Sequence, residues 1–259
     1  MLSDEFREEV LTTEEHIHGE ACYKSEFSCS LEEHTHTLQC FSNPKADVET
    51  EADWEKTLPQ ELTGDARKDV LLVAESQLGY EESDNNYIVA TDEEKKGYTR
   101  YGDWYGDSYG HWCAMFVSFC LDYAGVDSVP LEANCQQWIE KLKANGMYQE
   151  ADAYLPKEGD IVFFDWDLDG ISHHVGLVAE ISLKDDGTLD KVKTIEGNSI
   201  NDRVEYISYE GNNPQILGYG QLVPEKAVRK ELIFEDETMV VRLTFSGDYE
   251  LPENAVLNV

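Results

Sequence analysis

Gly159-Asp160-Ile161-Val162-Phe163-Phe164, with Ile171-Ser172-His173-His174-Val175-Gly176-Leu177-Val178 behind it, marks the point where the hydrophobic period of this chain changes. Upstream of Pro156 the apolar residues recur at helical spacing. Residues 65–78 carry Val70, Leu71, Val73, Ala74 and Leu78 and stop at Gly79. Residues 112–124 are apolar on nearly all sides and stop at Gly125, the pattern of a buried helix. A third helix is predicted over 135–144, closed by Asn145-Gly146. Downstream, residues 161–166, 173–181, 191–196, 204–209 and 216–222 are short β-rich runs parted by Gly, Asp and Asn turns. Helices first and a strand meander later predict an α+β domain with helices packed on an antiparallel sheet.

Working outward, residues 63–224 form the main domain, and 1–42, 43–62 and 225–259 flank it. Residues 1–42 hold a short repeat. Glu14-Glu15-His16-Ile17-His18, then Cys22-Tyr23, matches Glu32-Glu33-His34-Thr35-His36, then Cys40-Phe41, 18 residues on. His16, His18, Cys22, Cys29, His34, His36 and Cys40 place seven soft donors within 25 residues of a segment poor in aliphatics. A coreless segment needs a staple, and tetrahedral zinc takes His and Cys ligands, so a structural zinc is expected here. A disulfide among the three cysteines or an unstructured tether are the competing readings. Residues 43–62 read as an acidic linker. Residues 225–259 hold two strand-like runs, 232–235 and 239–245, too short for a core of their own; they read as a β tail or the start of a truncated module.

The charge balance is 54 acidic against 20 basic residues, a net −34 over 259 residues. Binding to nucleic acid or an anionic membrane surface is excluded as a main role, because phosphate contacts need clustered Lys and Arg. No apolar run approaches the roughly 18 to 20 residues of a membrane span. The first residues lack the basic and apolar regions of a signal peptide, so the chain reads as intracellular or as part of something longer, and the second reading is preferred.

Cys113 stands at the predicted start of the buried helix, where unpaired N–H groups and the helix dipole favour a thiolate. Its own N–H is placed to donate to an oxyanion. The plainer reading is an inert buried thiol, which is how Cys120 reads. A nucleophile needs a base, and His173 and His174 are neighbours on a strand whose side chains point to opposite faces. His174 shares its face with Gly176, a gap into which a helix could approach; His173 shares its own with Val175 and Leu177. Strand geometry alone does not choose between them. Glu196 and Asn198, in Thr194-Ile195-Glu196-Gly197-Asn198, lie on one face of the next strand, and either could orient an imidazole. Gly-Asn after a strand is also ordinary turn chemistry.

Taken in order, Trp112-Cys113-Ala114-x-Phe116-Val117, Gly159-Asp160-Ile161-Val162-Phe163-Phe164, His174-Val175-Gly176, Glu196-Gly197-Asn198 and Gly218-Tyr219-Gly220 resemble the CHAP domain. That papain-like group comprises cysteine- and histidine-dependent amidohydrolases and peptidases of cell-wall hydrolases. Ala74-x-Ser76-Gln77-Leu78-Gly79-Tyr80 extends the resemblance over about 65–224. The resemblance implies a papain-like fold and selects His174, which directly precedes Val-Gly. It implies Cys113 as nucleophile, Glu196 as the group orienting the imidazole and Asn198 as its assistant, with no cofactor for catalysis. It also implies peptidoglycan peptides as substrate and a secreted or wall-associated setting, this chain being an excised part of a larger surface protein.

Three features stand beside that reading. Asp165-Trp166-Asp167-Leu168-Asp169-Gly170 has the spacing of a calcium loop, but Gly176 stands where the bidentate carboxylate belongs, so a solvated hairpin loop is the preferred reading. Asp103, Asp107 and His111 occupy the region before the nucleophile where some CHAP domains resemble one another in binding calcium. Their spacing does not match, and no calcium site is assigned. Tyr98, Tyr101, Trp104, Tyr105 and Tyr109 read equally as a substrate-groove wall or as the packed skin of a loop. Against hydrolysis of wall peptides stand three rivals: a non-catalytic module that holds wall peptides, a thiol hydrolase of protein amides, and a functional His/Cys head beside a vestigial hydrolase.

Overall fold

The computed structural model describes residues 37–91 and 93–222 in full, together with the backbone of strands 228–235 and 238–245. Among the described residues five α-helices, α1 (Glu51–Trp54), α2 (Ala66–Ser76), α3 (Arg100–Tyr105), α4 (Cys113–Tyr123) and α5 (Cys135–Ala144), precede most of the strands. The main sheet contains β3 (Tyr148–Glu150), β4 (Ile161–Phe164), β5 (His174–Leu183), β6 (Leu189–Glu196), β7 (Glu205–Glu210) and β8 (Ile216–Gly220). It is antiparallel throughout, in the order β3-β8-β4-β5-β6-β7. A small ribbon joins β1 (Tyr87–Val89) to β2 (Lys95–Gly97). The architecture is α+β, as the change of period at Pro156 predicts, and it is consistent with a papain-like fold.

Strand β4 shows how the sheet divides the interior. Successive side chains of a strand point to opposite faces. Ile161 and Phe163 enter the large core beneath the helices with Val175, Leu177 and Ile195. Val162 and Phe164 enter a smaller layer on the other face with Val178, Val192, Ile216 and Tyr219. All four residues of β4 are therefore buried, which is why its sequence is continuous rather than alternating.

Helix α4 is buried from Cys113 through Leu121. Covering side chains such as Phe116 and Phe119 stabilises by about 1.5–3 kcal/mol each. Helix α2 is capped by Asp65, whose carboxylate accepts from the N–H groups of Arg67 and Lys68. Arg67 Nη1 then donates to Asp160 Oδ1 at 2.7 Å, tying α2 to the entrance of β4. Asp160 is fully buried and also accepts from Tyr154 Oη and the Lys157 N–H.

The aromatic stretch resolves into packing. Thr99 caps α3 by accepting from the Gly102 N–H, and Gly106, at φ 101°, ends it. This six-residue helix is too short to show a period in sequence. It buries Tyr101 against the ring of Trp112, stacked at 5.3 Å, with Phe116 and Phe119 edge-on at 5.2 and 5.1 Å. Tyr98 is buried as well, and only Tyr105 keeps an exposed ring.

Residues 43–62, read from sequence as a linker, are seated on the domain. Arg100 grips Glu49 with two bonds of 2.7 and 2.6 Å. Trp54 is buried, and its indole N–H donates to Tyr123 Oη at 2.9 Å. A single tryptophan and a bidentate ion pair dock the segment despite its acidic composition. Just upstream, a 3-10 turn at Leu38–Phe41 leads to Ser42, whose hydroxyl bonds both backbone groups of Tyr87 in β1. In the tail, β9 (Val228–Glu235) pairs antiparallel with β10 (Thr238–Phe245), a longer hairpin than the sequence suggests. Among the described residues no helix is long and apolar enough to cross a membrane.

Candidate active site

Cys113 is the first residue of α4, with Trp112 in the N-cap position. Its side chain lies against Cys135, the first residue of α5, with the two sulfurs 3.7 Å apart. The hydrogen bond with Cys135 is the strongest influence holding the Cys113 thiol well below its ordinary pKa. Burial opposes this, while a hydrogen bond and charge from His174 and the Ala114 N–H reinforce it. Cys113 is thus poised as a thiolate. Cys120, two turns deeper in α4, is pushed up by burial alone and stays an inert thiol. Trp112 is fixed by its stack on Tyr101 and by donating to Glu82 Oε2 at 2.9 Å.

His174 opens β5 and is only 6% exposed. Its Nε2 lies 2.8 Å from Glu196 Oε2, at the end of β6. A carboxylate only accepts, so Nε2 carries a proton there and Nδ1 is the nitrogen left for the thiol. Burial disfavours the charged ring, but hydrogen bonds and charges from Cys113 and Glu196 outweigh it and push His174 up to about 10. The two shifts run in opposite directions, Cys113 down and His174 up, and together they favour a thiolate facing an imidazolium.

Glu196 is held in turn. Thr194 Oγ1 donates to its Oε1, and Tyr209 Oη donates to its Oε2 at 3.3 Å. Burial, and then the charge of Glu196, push the Tyr209 hydroxyl far up, so it remains a donor. The gap at Gly176 expected to admit a helix instead admits Glu196: a Cβ there would stand 2.7 Å from Glu196 Cγ. Gly197 is the position where helix and sheet close up, because a Cβ there would stand 2.6 Å from Phe116 Cγ and 2.7 Å from Trp112 Cζ3.

The two histidines part as strand neighbours must. His173 Nδ1 faces Asp165 and Asp167, each at 3.6 Å. Asp165 organises this loop, accepting from the N–H groups of Leu168, Asp169 and Gly170. Burial works against its charge, yet those bonds hold its carboxyl below the usual range. Asp165, Asp167, Asp169 and His173 present donor atoms within 4.8 Å of one another.

Asn198, at φ 54°, makes the turn after β6 and forms no hydrogen bond with His174. It lines a cleft of about 480 Å³ beside the imidazole, together with Trp166, Ile200, Ile207 and Tyr209. Ile200 is 93% exposed at its rim. Of the seven donors expected for zinc, only Cys40 is among the described residues, half-buried in its 3-10 turn. His16, His18, Cys22, Cys29, His34 and His36 lie outside them.

Sequence reasoning missed Cys135, Thr194, Tyr209 and Trp166. Two had a signal: Cys135 opens a predicted helix just as Cys113 does, and Thr194 lies two residues before Glu196 on one strand face. Tyr209 and Trp166 had none, because β7 and the β4–β5 loop bring them in from elsewhere.

A thiol at a helix start, an imidazole and a carboxylate in one buried line form the constellation that thiol-dependent acyl transfer uses. The family model described as CHAP domain matches residues 104–198, a span containing Cys113, His174, Glu196 and Asn198. The match covers 95 of the 259 residues, and the matched family is one of amidase- and peptidase-type hydrolases associated with peptidoglycan. No curated protein and no solved structure matches the chain.

Proposed function

We propose that this protein is a cysteine amidohydrolase or endopeptidase that cleaves peptide or amide bonds of bacterial peptidoglycan through a thioester. The observation that carries the reading is the buried line from Cys113 through His174 to Glu196, with its 2.8 Å terminal bond. The Cys113 thiolate attacks the scissile carbonyl, and the N–H groups at the start of α4 receive the developing oxyanion. The His174 imidazolium gives its proton to the departing amine, leaving a thioester on Cys113. Neutral His174 then takes a proton from water, which attacks the thioester and frees the acid. Glu196 keeps the ring in the productive tautomer and stabilises its charge, and Asn198 bounds the cleft where substrate binds.

The same reading places the protein's work outside the cell or on the wall, with wall peptides as partner. It also keeps the head, residues 1–42, as a zinc-stapled module and the tail as an accessory β unit. Incubating purified chain and Cys113→Ala with peptidoglycan, followed by mass analysis of soluble fragments, tests the function. Fragments are expected from the unaltered chain alone, and their termini identify the bond. Equal turnover by Cys113→Ala would remove Cys113 from the chemistry. Binding to peptidoglycan without fragments from either form would favour the non-catalytic module. The net charge of −34 favours a second reading, hydrolysis of amides in soluble proteins, since no excess of basic residues helps hold an anionic wall. Cleavage of protein substrates with intact peptidoglycan would support it.

A further inference from the structure

We infer that Cys113 and Cys135 are a reversible dithiol–disulfide pair, in which Cys135 captures oxidised Cys113 and so protects it. Each cysteine is the first residue of its own helix, α4 and α5. Two helix N-termini thus converge on one pair of sulfurs, and their positive ends favour electron-rich sulfur on either side. The sulfurs stand 3.7 Å apart, and both thiols are free and buried. Disulfide bonding needs a separation of about 2.05 Å, a closure of less than about 2 Å. Cys120 does not compete, because seven residues of helix carry it about 10 Å farther along α4.

With hydrogen peroxide as oxidant the steps balance. The Cys113 thiolate attacks one peroxide oxygen, the O–O bond breaks, and the hydroxide released takes a proton to become water. Cys113 is left as a sulfenic acid. The Cys135 sulfur then attacks the Cys113 sulfur, the S–O bond breaks, and a second water departs with the Cys135 proton. Two thiols have lost two electrons, and one peroxide has gained them. A dithiol reductant reverses the state by exchange.

The electrostatics time the second step. In the reduced protein Cys135 is pushed well up, first by its hydrogen bond to Cys113, then by burial and by the charge of Cys113. It therefore stays a thiol while Cys113 is charged. Conversion of Cys113 to a neutral sulfenic acid removes that charge and frees Cys135 to act as nucleophile.

This inference rests on the proposed reading only in taking Cys113 as the nucleophile that the disulfide protects. Its test therefore reads chemistry rather than activity. The full chain is exposed to a modest excess of hydrogen peroxide, free thiols are alkylated in denaturant, and the chain is digested without reductant and mapped by mass spectrometry. A peptide pair joined through Cys113 and Cys135 is expected, and dithiothreitol should return both to alkylation. In Cys135→Ser, folded by circular dichroism, Cys113 should reach the sulfinic acid at least about tenfold more than in the unaltered chain. Two alkylated thiols after peroxide would overturn the inference. So would Cys113 sulfinic acid beside an alkylated Cys135, or equal overoxidation with and without Cys135. A chain inert towards peptidoglycan leaves each of these outcomes readable.

Discussion

Replacing Glu196 with glutamine keeps the shape of the side chain and removes its charge. In the folded protein His174 Nε2 lies 2.8 Å from Glu196 Oε2, and the ring is pushed up to about 10. The Thr194 hydroxyl, which donates to Oε1, can rotate to accept from the new amide, leaving the amide oxygen for His174. The hydrogen bond thus survives while its charge assistance is lost. A bond to a charged partner contributes about 1.5–3 kcal/mol, against about 1 kcal/mol for a neutral one. The difference corresponds to a fall of about one unit in the His174 pKa.

The sign follows from the chemistry. Turnover needs thiolate and imidazolium together, so activity is lost on the alkaline side as the ring deprotonates. That limb is expected near 10 in the unaltered protein and about one unit lower in Glu196→Gln. The assay is kcat/KM against pH on a soluble peptide released from peptidoglycan, with kcat at neutral pH also reduced by about tenfold or more. The imidazolium's contribution to stability moves in parallel. It is whole below the unfolded value of about 6.5 and lost as pH rises towards about 10. An alkaline limb that stays where it was in Glu196→Gln, at undiminished rate, would refute the coupling.

Other perturbations test other parts of the argument. Gly176→Ala places a Cβ 2.7 Å from Glu196 Cγ, so Glu196 must shift from His174; activity is expected to drop by about 100-fold, for a thermal destabilisation of about 1–3 kcal/mol. Full activity in a folded Gly176→Ala protein would contradict that placement. Asp160→Ala strands three hydrogen-bond donors at the entrance of β4, the Arg67 guanidinium among them, and a loss of about 3 kcal/mol in urea unfolding is expected. Trp54→Ala removes the anchor of residues 43–62 and should cost about 3 kcal/mol, with faster proteolysis of that segment; an unchanged urea midpoint would mean it does not dock.

Much of this was written in the chain itself. The helix of 113–123 is apolar on nearly all sides, so it had to be buried over most of its length whatever lay around it. The change from helical spacing to short β runs at Pro156 fixed the α+β class, because side-chain period is a property of local backbone geometry. Cys113 at a helix start, and the order of the motifs leading to Glu196, were equally local. What local pattern could not decide was anything that depends on register or approach. Adjacent histidines on a strand are equivalent until the sheet shows which one meets Glu196 and which one meets the loop carboxylates of Asp165 and Asp167. Gly176 read as room for a helix, and only the pairing of β5 with β6 shows that Glu196 occupies it. Cys135 and Tyr209 enter from a separate helix and a separate strand, 22 residues beyond Cys113 and 13 beyond Glu196. Sequence sets which residues can ionise, donate or pack. Their pKa values and partners arise from distances of a few ångströms, and those exist only once the helices and strands have been brought together.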